Sequence, residues 1–198
     1  MADSREDFVW TNHAEQQWEE NKTGHDFSGG NKLRDWMKGL DNVSKVVDLG
    51  CGGSLWRKMF LDFDYLGIDQ NENMISYAKK RFPDSNYLVS NAENTPLEDG
   101  SVDLVFTSAV LQHNLHERKA DVVKEIYRIL RPGGYYMCTE NTLRKDNFMY
   151  AFPNVLAWDD AMDDGYSFTP NGWERFMSGF GFKLVKFDEP SEYLYQKE

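Results

Sequence analysis

The chain has 198 residues, enough for one domain with a substantial core. Its formal net charge of −11 argues against a nucleic-acid partner, because phosphate contacts need clustered Lys and Arg, and suits a neutral or cationic small molecule better. Cys51 and Cys138 form no Cys-x-x-Cys pair, no apolar run reaches membrane-spanning length, and the N-terminus has no signal-peptide pattern, so the expectation is a cytoplasmic protein with no metal site and no membrane partner.

Residues 1–30 are polar but carry Phe8, Trp10, Trp18 and Phe27, and Asn12 followed by Glu15 reads as a capping box opening a short helix. Leu33, Trp36, Met37 and Leu40 then recur at helical spacing, with Asn31 as N-cap, and form a core stripe. Val46-Val47-Asp48-Leu49 reads as a short buried strand that breaks into Gly50-Cys51-Gly52-Gly53-Ser54, followed by a short helix over 55–61. Tyr65–Asp69 is a second strand. Asn71 caps a helix holding Met74, Ile75, Ala78 and Phe82, which Pro83 ends. Tyr87–Val89 and Val102–Thr107 are the third and fourth strands. An amphipathic helix over 119–130 is stopped by Arg131-Pro132-Gly133-Gly134, and Tyr135–Thr139 is a fifth strand.

Residues 141–168 form a long, irregular, aromatic-rich insertion. Thr169-Pro170 opens a helix through Trp173, Phe176 and Met177 that Gly179-Phe180-Gly181 closes, and Phe182–Phe187 and Tyr193–Gln196 are two closing strands. The strand–helix alternation predicts an α/β fold, a parallel sheet with helices on both faces. With no internal repeat and no low-complexity linker, the expectation is a single domain over 1–198: an N-terminal lid segment (1–30), a core (31–140), an insertion (141–168), and a closing helix with two strands (169–198).

A strand that runs into glycines and then a helix sets backbone N–H groups at the carboxyl edge of a sheet, where open α/β sheets bind ligands. The spacing is not that of a dinucleotide fingerprint, whose last glycine would fall at Leu55. Asp48-Leu49-Gly50-Cys51-Gly52-Gly53-Ser54 instead resembles motif I of the class I S-adenosylmethionine-dependent methyltransferases, D/E-x-G-x-G-x-G, with Ser54 in the third glycine position. Leu66-Gly67-Ile68-Asp69 resembles motif II, and Asn91-Ala92-Glu93 resembles the family's Asp-Ala-Glu. The segment Phe106–His113 and the Leu-Arg-Pro-Gly-Gly run from Leu130 resemble the small-molecule, methyltransferase-11-like group. These stretches span 46–140, about half the chain.

The resemblance implies a Rossmann-like, seven-stranded, mostly parallel sheet whose last strand inserts antiparallel between strands five and six. It implies S-adenosyl-L-methionine as cofactor, held by Asp48, Gly50, Cys51, Gly52, Asp69, Gln70, Asn91, Ala92, Glu93 and Ser108. Asp69 would accept hydrogen bonds from the ribose hydroxyls, Gln70 would line the adenine pocket, and Asn91 would accept from the adenine amino group. The plain alternatives are that Asp69 only caps the following turn and that Asn91 is a turn residue.

The motifs explain a cofactor and leave the acceptor to residues 1–30 and 141–168. Trp10 in the first segment, and Trp158, Asp159, Asp160 and Tyr166 in the second, are the expected acceptor-side residues, beside Asp163 and Asp164. Rings with few polar groups suit a small organic ligand, and carboxylates draw a cation; the alternative is a solvated acidic loop. His113 is the expected general base near neutral pH, or else a histidine packed at a helix start, and Glu140 is a second expected catalytic group. The expected function is methyl transfer to a small-molecule acceptor, amine-bearing or cationic. Methylation of a protein or peptide N-terminal amine and a non-catalytic cofactor-binding module are the alternatives.

Overall fold

The computed structural model describes residues 30–111, 116–140, 170–188 and 192–198. The expectations resting on His113, Trp10, Trp158, Asp159, Asp160, Tyr166 and the Asn12–Glu15 capping box lie outside the described residues. Seven strands are present: β1 (Lys45–Leu49), β2 (Asp64–Asp69), β3 (Asn86–Val89), β4 (Val102–Ser108), β5 (Leu130–Thr139), β6 (Phe182–Asp188) and β7 (Glu192–Lys197). The described helices are α1 (Gly30–Lys38), α2 (Glu72–Arg81), α3 (His116–Ile129) and α4 (Pro170–Ser178), with a 3-10 turn over Arg57–Phe60.

The strands form one sheet in the order β3-β2-β1-β4-β5-β7-β6. β1 pairs β2, β2 pairs β3 and β4 pairs β5 in parallel, whereas β7 pairs both β5 and β6 antiparallel. The last strand therefore inserts antiparallel between the fifth and sixth, as the resemblance implies. Packing divides the chain into two compact units, Met1–Pro96 and Leu97–Glu198. No described helix is long and apolar enough to cross a membrane, and no cluster of described His, Cys, Asp or Glu is arranged to hold a metal ion.

In the first unit, β1 runs buried from Val46 to Leu49, the pattern of a parallel strand covered on both faces. Helix α1 buries Leu33 and Met37, one helical turn apart, and ends at Lys38. Asn31 lies inside this helix instead of capping it, and Leu40 lies beyond it. Helix α2 is capped as expected: the Asn71 side chain accepts from the N–H groups of Asn73 and Met74, while Met74, Ile75 and Ala78 are buried. Each fully buried aliphatic side chain of this kind contributes roughly 1.5–3 kcal/mol relative to exposure. The helix expected over 55–61 is only the 3-10 turn Arg57–Phe60. The reason is local: Ser54 has φ +62°, so the chain leaves the glycine turn in a left-handed step and completes further turns before it can wind.

In the second unit, α3 buries Val122, Val123, Ile126 and Ile129, and Leu130 already belongs to β5. The Arg131–Gly134 run is thus not a loop that stops a helix. It is an irregularity inside the strand, because Val102 pairs with Leu130 while Leu104 pairs with Tyr135. Gly133 takes φ +70°, and a Cβ at Gly134 would lie 2.9 Å from the Arg131 carbonyl oxygen and 3.1 Å from that of Asp103. Arg131 Nε donates to Asp103 Oδ1 at 2.7 Å and pins the bulge to β4.

Carbonyls at the end of α3 are satisfied from outside the helix: Gly100 N–H donates to Arg128 O at 2.9 Å and Lys197 Nζ to Tyr127 O at 2.7 Å, and the same Nζ also donates to Leu130 O, just past the helix, at 2.8 Å. Helix α4 places Pro170 at its first position and buries Trp173 and Met177. The Trp173 ring lies 6.2 Å from that of Tyr193. Tyr136, Tyr193 and Tyr195, all buried on β5 and β7, extend this aromatic layer.

Candidate functional site

The first unit carries the glycine turn at the end of β1. Three alternating positions take a left-handed backbone: Gly50 at φ +74°, Gly52 at +50° and Ser54 at +62°. These are the three glycine positions of D-x-G-x-G-x-G, so the motif records where the chain must bend the unfavourable way. The turn is tied to the neighbouring strand. Gly50 and Cys51 N–H both donate to Ile68 O, at 2.7 and 2.9 Å. Gly52 N–H donates to Asp69 Oδ2, and Asn71 N–H to Asp69 Oδ1, each at 2.9 Å. A Cβ at Gly53 would meet nothing within 4 Å, so the turn opens onto free space there.

Asp69 is the last residue of β2 and half-buried. Burial raises its carboxyl above the ordinary range, against the lowering effect of the Asn71 and Gly52 N–H groups. Each of its oxygens accepts one N–H and keeps further acceptor positions. It caps the following turn through Asn71 N–H and ties the glycine turn to β2 through Gly52 N–H.

Behind the turn runs a buried chain of hydroxyls. Tyr87 donates to Ser54 Oγ at 3.2 Å, Ser54 Oγ lies 2.8 Å from the Tyr65 hydroxyl, and Tyr65 donates to Asp48 Oδ2 at 2.8 Å. Since the Tyr65 proton points to Asp48, Ser54 is the donor to Tyr65, and the chain is directed from Tyr87 to Asp48. Burial pushes the Asp48 carboxyl up from 3.8 to about 7; the Tyr65 bond lowers it and the Asp69 charge adds a smaller rise. The Cys51 thiol is raised by burial and then by Asp48 and Asp69, which makes it an inert buried thiol.

Sequence reasoning missed Gly67. A Cβ there would lie 2.7 and 2.9 Å from Tyr87 Cδ1 and Cε1 and 3.0 Å from Cys51 Sγ, so the missing side chain is the room the Tyr87 ring uses. A glycine inside a buried strand was the available signal. Gln70 is exposed beside Asp69. Asn91 is exposed in the loop after β3, with Ala92 and Glu93 half-buried next to it.

The second unit carries the turn after β4. Ser108 ends β4 and its Oγ accepts from Thr139 Oγ1 at 2.8 Å. Ala109 takes φ +56°, and its N–H donates to Thr139 O at 2.9 Å. Glu140, directly after β5, is 2% exposed. Its Oε1 accepts from Thr107 Oγ1 at 3.0 Å and from the Val110 and Leu111 N–H groups at 3.1 and 3.2 Å. Tyr136 OH lies 2.8 Å from Thr107 Oγ1 and, with the Thr107 proton on Glu140, is the donor. Glu140 has the geometry of an anchor for the turn 107–111.

Residues 47–138 match the family model described as methyltransferase domain. The ubiquinone/menaquinone biosynthesis C-methyltransferase UbiE of Campylobacter jejuni is 28% identical over 159 residues, covering 71% of this chain and 67% of that protein. The tRNA (carboxymethyluridine(34)-5-O)-methyltransferase ALKBH8 of Mus musculus is 31% identical over 104 residues, 52% of this chain but only 15% of that relative. Among solved structures, a Thermotoga maritima SAM-dependent methyltransferase, described as a possible histamine N-methyltransferase, aligns over 96% of this chain and 100% of its own with TM-score 0.69 and 18% identity. At that identity the likeness concerns the fold. The names carry three different accepting atoms, carbon, oxygen and nitrogen. The charge argument against nucleic acid finds no support among these relatives, since one is named for tRNA.

Proposed function

We propose that this chain, which belongs to the class I S-adenosylmethionine-dependent methyltransferases, binds S-adenosyl-L-methionine on its first unit and methylates a small-molecule acceptor as one catalytic domain. The observation that carries the reading is the pairing of Asp69 with a turn left-handed at all three motif positions. The residues present fit the cofactor: space is open at Gly53, and Asp69 is a half-buried acceptor with unused lone pairs at a strand end.

In this reading Asp69 accepts from the ribose hydroxyls, and charge-assisted bonds of that kind are about twice as strong as neutral ones. Asp48, Gly50, Cys51 and Gly52 form the cradle, with Gln70, Asn91, Ala92 and Glu93 on the adenine side. S-adenosylmethionine supplies, when bound, a methyl group already activated on a sulfonium. What remains for the protein is to orient the nucleophile, exclude water and, for a protonated acceptor, take a proton. His113 is the proposed base. Glu140 is assigned to holding the turn that precedes it. Trp10, Trp158, Asp159, Asp160 and Tyr166 are the proposed acceptor side, and the net charge of −11 favours an amine-bearing or cationic acceptor over a polyanion.

A tRNA acceptor is the second reading, on the strength of the relative named for it. Incubating the protein with S-adenosylmethionine and, separately, with metabolite, peptide and tRNA pools, and measuring demethylated cofactor, tests both readings. Turnover with the metabolite pool alone is expected. Turnover with tRNA alone replaces the first reading by the second, and no turnover with any pool in a protein that binds the cofactor refutes methyl transfer to these classes.

A further inference from the structure

Ser54 is an L residue in a left-handed conformation, fully buried, at a position where a glycine would sit without strain. Its own hydrogen bonds hold it there. Its N–H donates to Cys51 O at 2.8 Å, and its hydroxyl is gripped from two different strands: by Tyr65 of β2 at 2.8 Å and by Tyr87 of β3 at 3.2 Å. The grip is built into the sheet. The Tyr87 ring occupies the room that Gly67 leaves, and Tyr65 is fixed from its other side by Asp48 of β1. The Arg57 guanidinium covers the Tyr65 ring at 4.6 Å from its centroid, and Arg57 Nε is itself tied to Ser85 Oγ at 2.7 Å. Side chains from two strands thus converge on one hydroxyl in the turn, and Asp48 of a third strand backs one of them.

We propose that Tyr65 and Tyr87 are positioning residues for the cofactor, which hold the glycine turn in its binding shape by clamping the Ser54 hydroxyl. This rests on the reading of that turn as the S-adenosylmethionine cradle. Two hydroxyls do by hydrogen bonding what a glycine at this position does by lacking a Cβ. Without them the serine backbone relaxes toward right-handed φ, and the N–H groups of Gly52 and Gly53 turn with it. The clamp acts on shape alone, so a residue that holds the left-handed backbone by itself makes the hydroxyls dispensable for binding.

The test is a mutant cycle read by calorimetric Kd for S-adenosylmethionine on folded protein, with the urea midpoint measured alongside. Tyr65→Phe and Ser54→Ala are expected to raise Kd about 3- to 10-fold, the effect of one lost hydrogen bond, and Tyr87→Phe, whose bond is longer, less. Ser54→Gly is expected to bind like the wild type. In the Ser54→Gly background Tyr65→Phe is expected to leave Kd unchanged while still lowering the urea midpoint, because Asp48 loses its donor. A role in stability alone predicts no change of Kd in any variant. The inference is overturned if Tyr65→Phe or Ser54→Ala binds like the wild type, or if Tyr65→Phe weakens binding equally in both backgrounds. Should Tyr65→Phe not fold, Ser54→Ala against Ser54→Gly decides: equal affinities overturn the clamp. A wild-type protein that binds no S-adenosylmethionine overturns the functional reading itself, a result distinct from unchanged binding in the variants.

Discussion

Asp48 should make the protein less stable as pH rises from about 4 to about 7, and Asp48→Asn should remove that dependence. The carboxyl is 2% exposed and its folded pKa is about 7, against an ordinary value of 3.8. Burial, the main cause, penalises the ionised form. The folded state therefore binds a proton that the unfolded chain has already released between these two values. Stability is full below the ordinary pKa, falls with rising pH across the interval, and levels off above the folded pKa. A shift of about three units at roughly 1.4 kcal/mol per unit gives a loss on the order of 4 kcal/mol between pH 4 and pH 8. Asp69, also raised by burial, contributes in the same direction. Urea unfolding of ligand-free wild type and Asp48→Asn, followed by tryptophan fluorescence at half-unit steps from pH 5 to 8.5, reads the difference and cancels every other titrating group. The variant's advantage over the wild type should widen by about 3 kcal/mol between pH 5 and pH 8, the roughly two units of the interval that lie above pH 5, because its amide oxygen still accepts from Tyr65. Parallel profiles, or a variant weaker than the wild type at pH 8, would refute the assignment of a buried Asp48 whose pKa is raised to about 7.

Asp69→Ala should weaken S-adenosylmethionine binding by about 1.5–3 kcal/mol, the scale of bonds to a charged group, with the lost Gly52 contact adding to it; unchanged calorimetric affinity in a folded variant counts against the assignment. Gly67→Ala should cost about 1–3 kcal/mol, because its Cβ would sit 2.7 Å from the Tyr87 ring; an unmoved urea midpoint would show that the ring has other room. Glu140→Ala strips the acceptor from three donors and should cost about 3 kcal/mol or more, while Glu140→Gln, which keeps an acceptor oxygen, should cost less. Equal losses in the two Glu140 variants would contradict the anchor geometry.

What the sequence made legible is what local chemistry decides. The buried run from Val46, the Asn71 cap and the acid at the end of β2 follow from residue type and spacing, and each stands where expected. The fifth strand was harder, because Pro132 and two glycines look the same whether they end a helix or bulge a strand. The decision lies in the Arg131–Asp103 bond, made to a residue 28 positions away. Ser54 was legible as a departure from the glycine pattern, but not its consequence. The strain is answered by Tyr65 and Tyr87, which no short window contains. Gly67 is explained by a ring on the next strand. Each miss is a long-range fit of side chains, which periodicity cannot encode.

The turns after β1 and β4 are each built in the same way, and the comparison separates binding from anchoring. In each, an L residue takes a left-handed step, Ser54 in one and Ala109 in the other. In each, a carboxylate from the end of the adjacent parallel strand accepts backbone N–H groups of the turn: Asp69 from Gly52, and Glu140 from Val110 and Leu111. Such a carboxylate supplies the counter-charge that several inward N–H groups require, so it is needed for the turn whether or not a ligand ever arrives. Being an acid at a strand end is therefore not enough to make a binding residue. Access decides. Glu140 is 2% exposed, and its Oε1 already receives three donors. Asp69 is half-buried and accepts from one donor on each oxygen, so a ligand hydroxyl can reach it without displacing the turn. By that criterion a substitution at Asp69 acts first on affinity and one at Glu140 first on folding, although the two residues do the same work for the backbone.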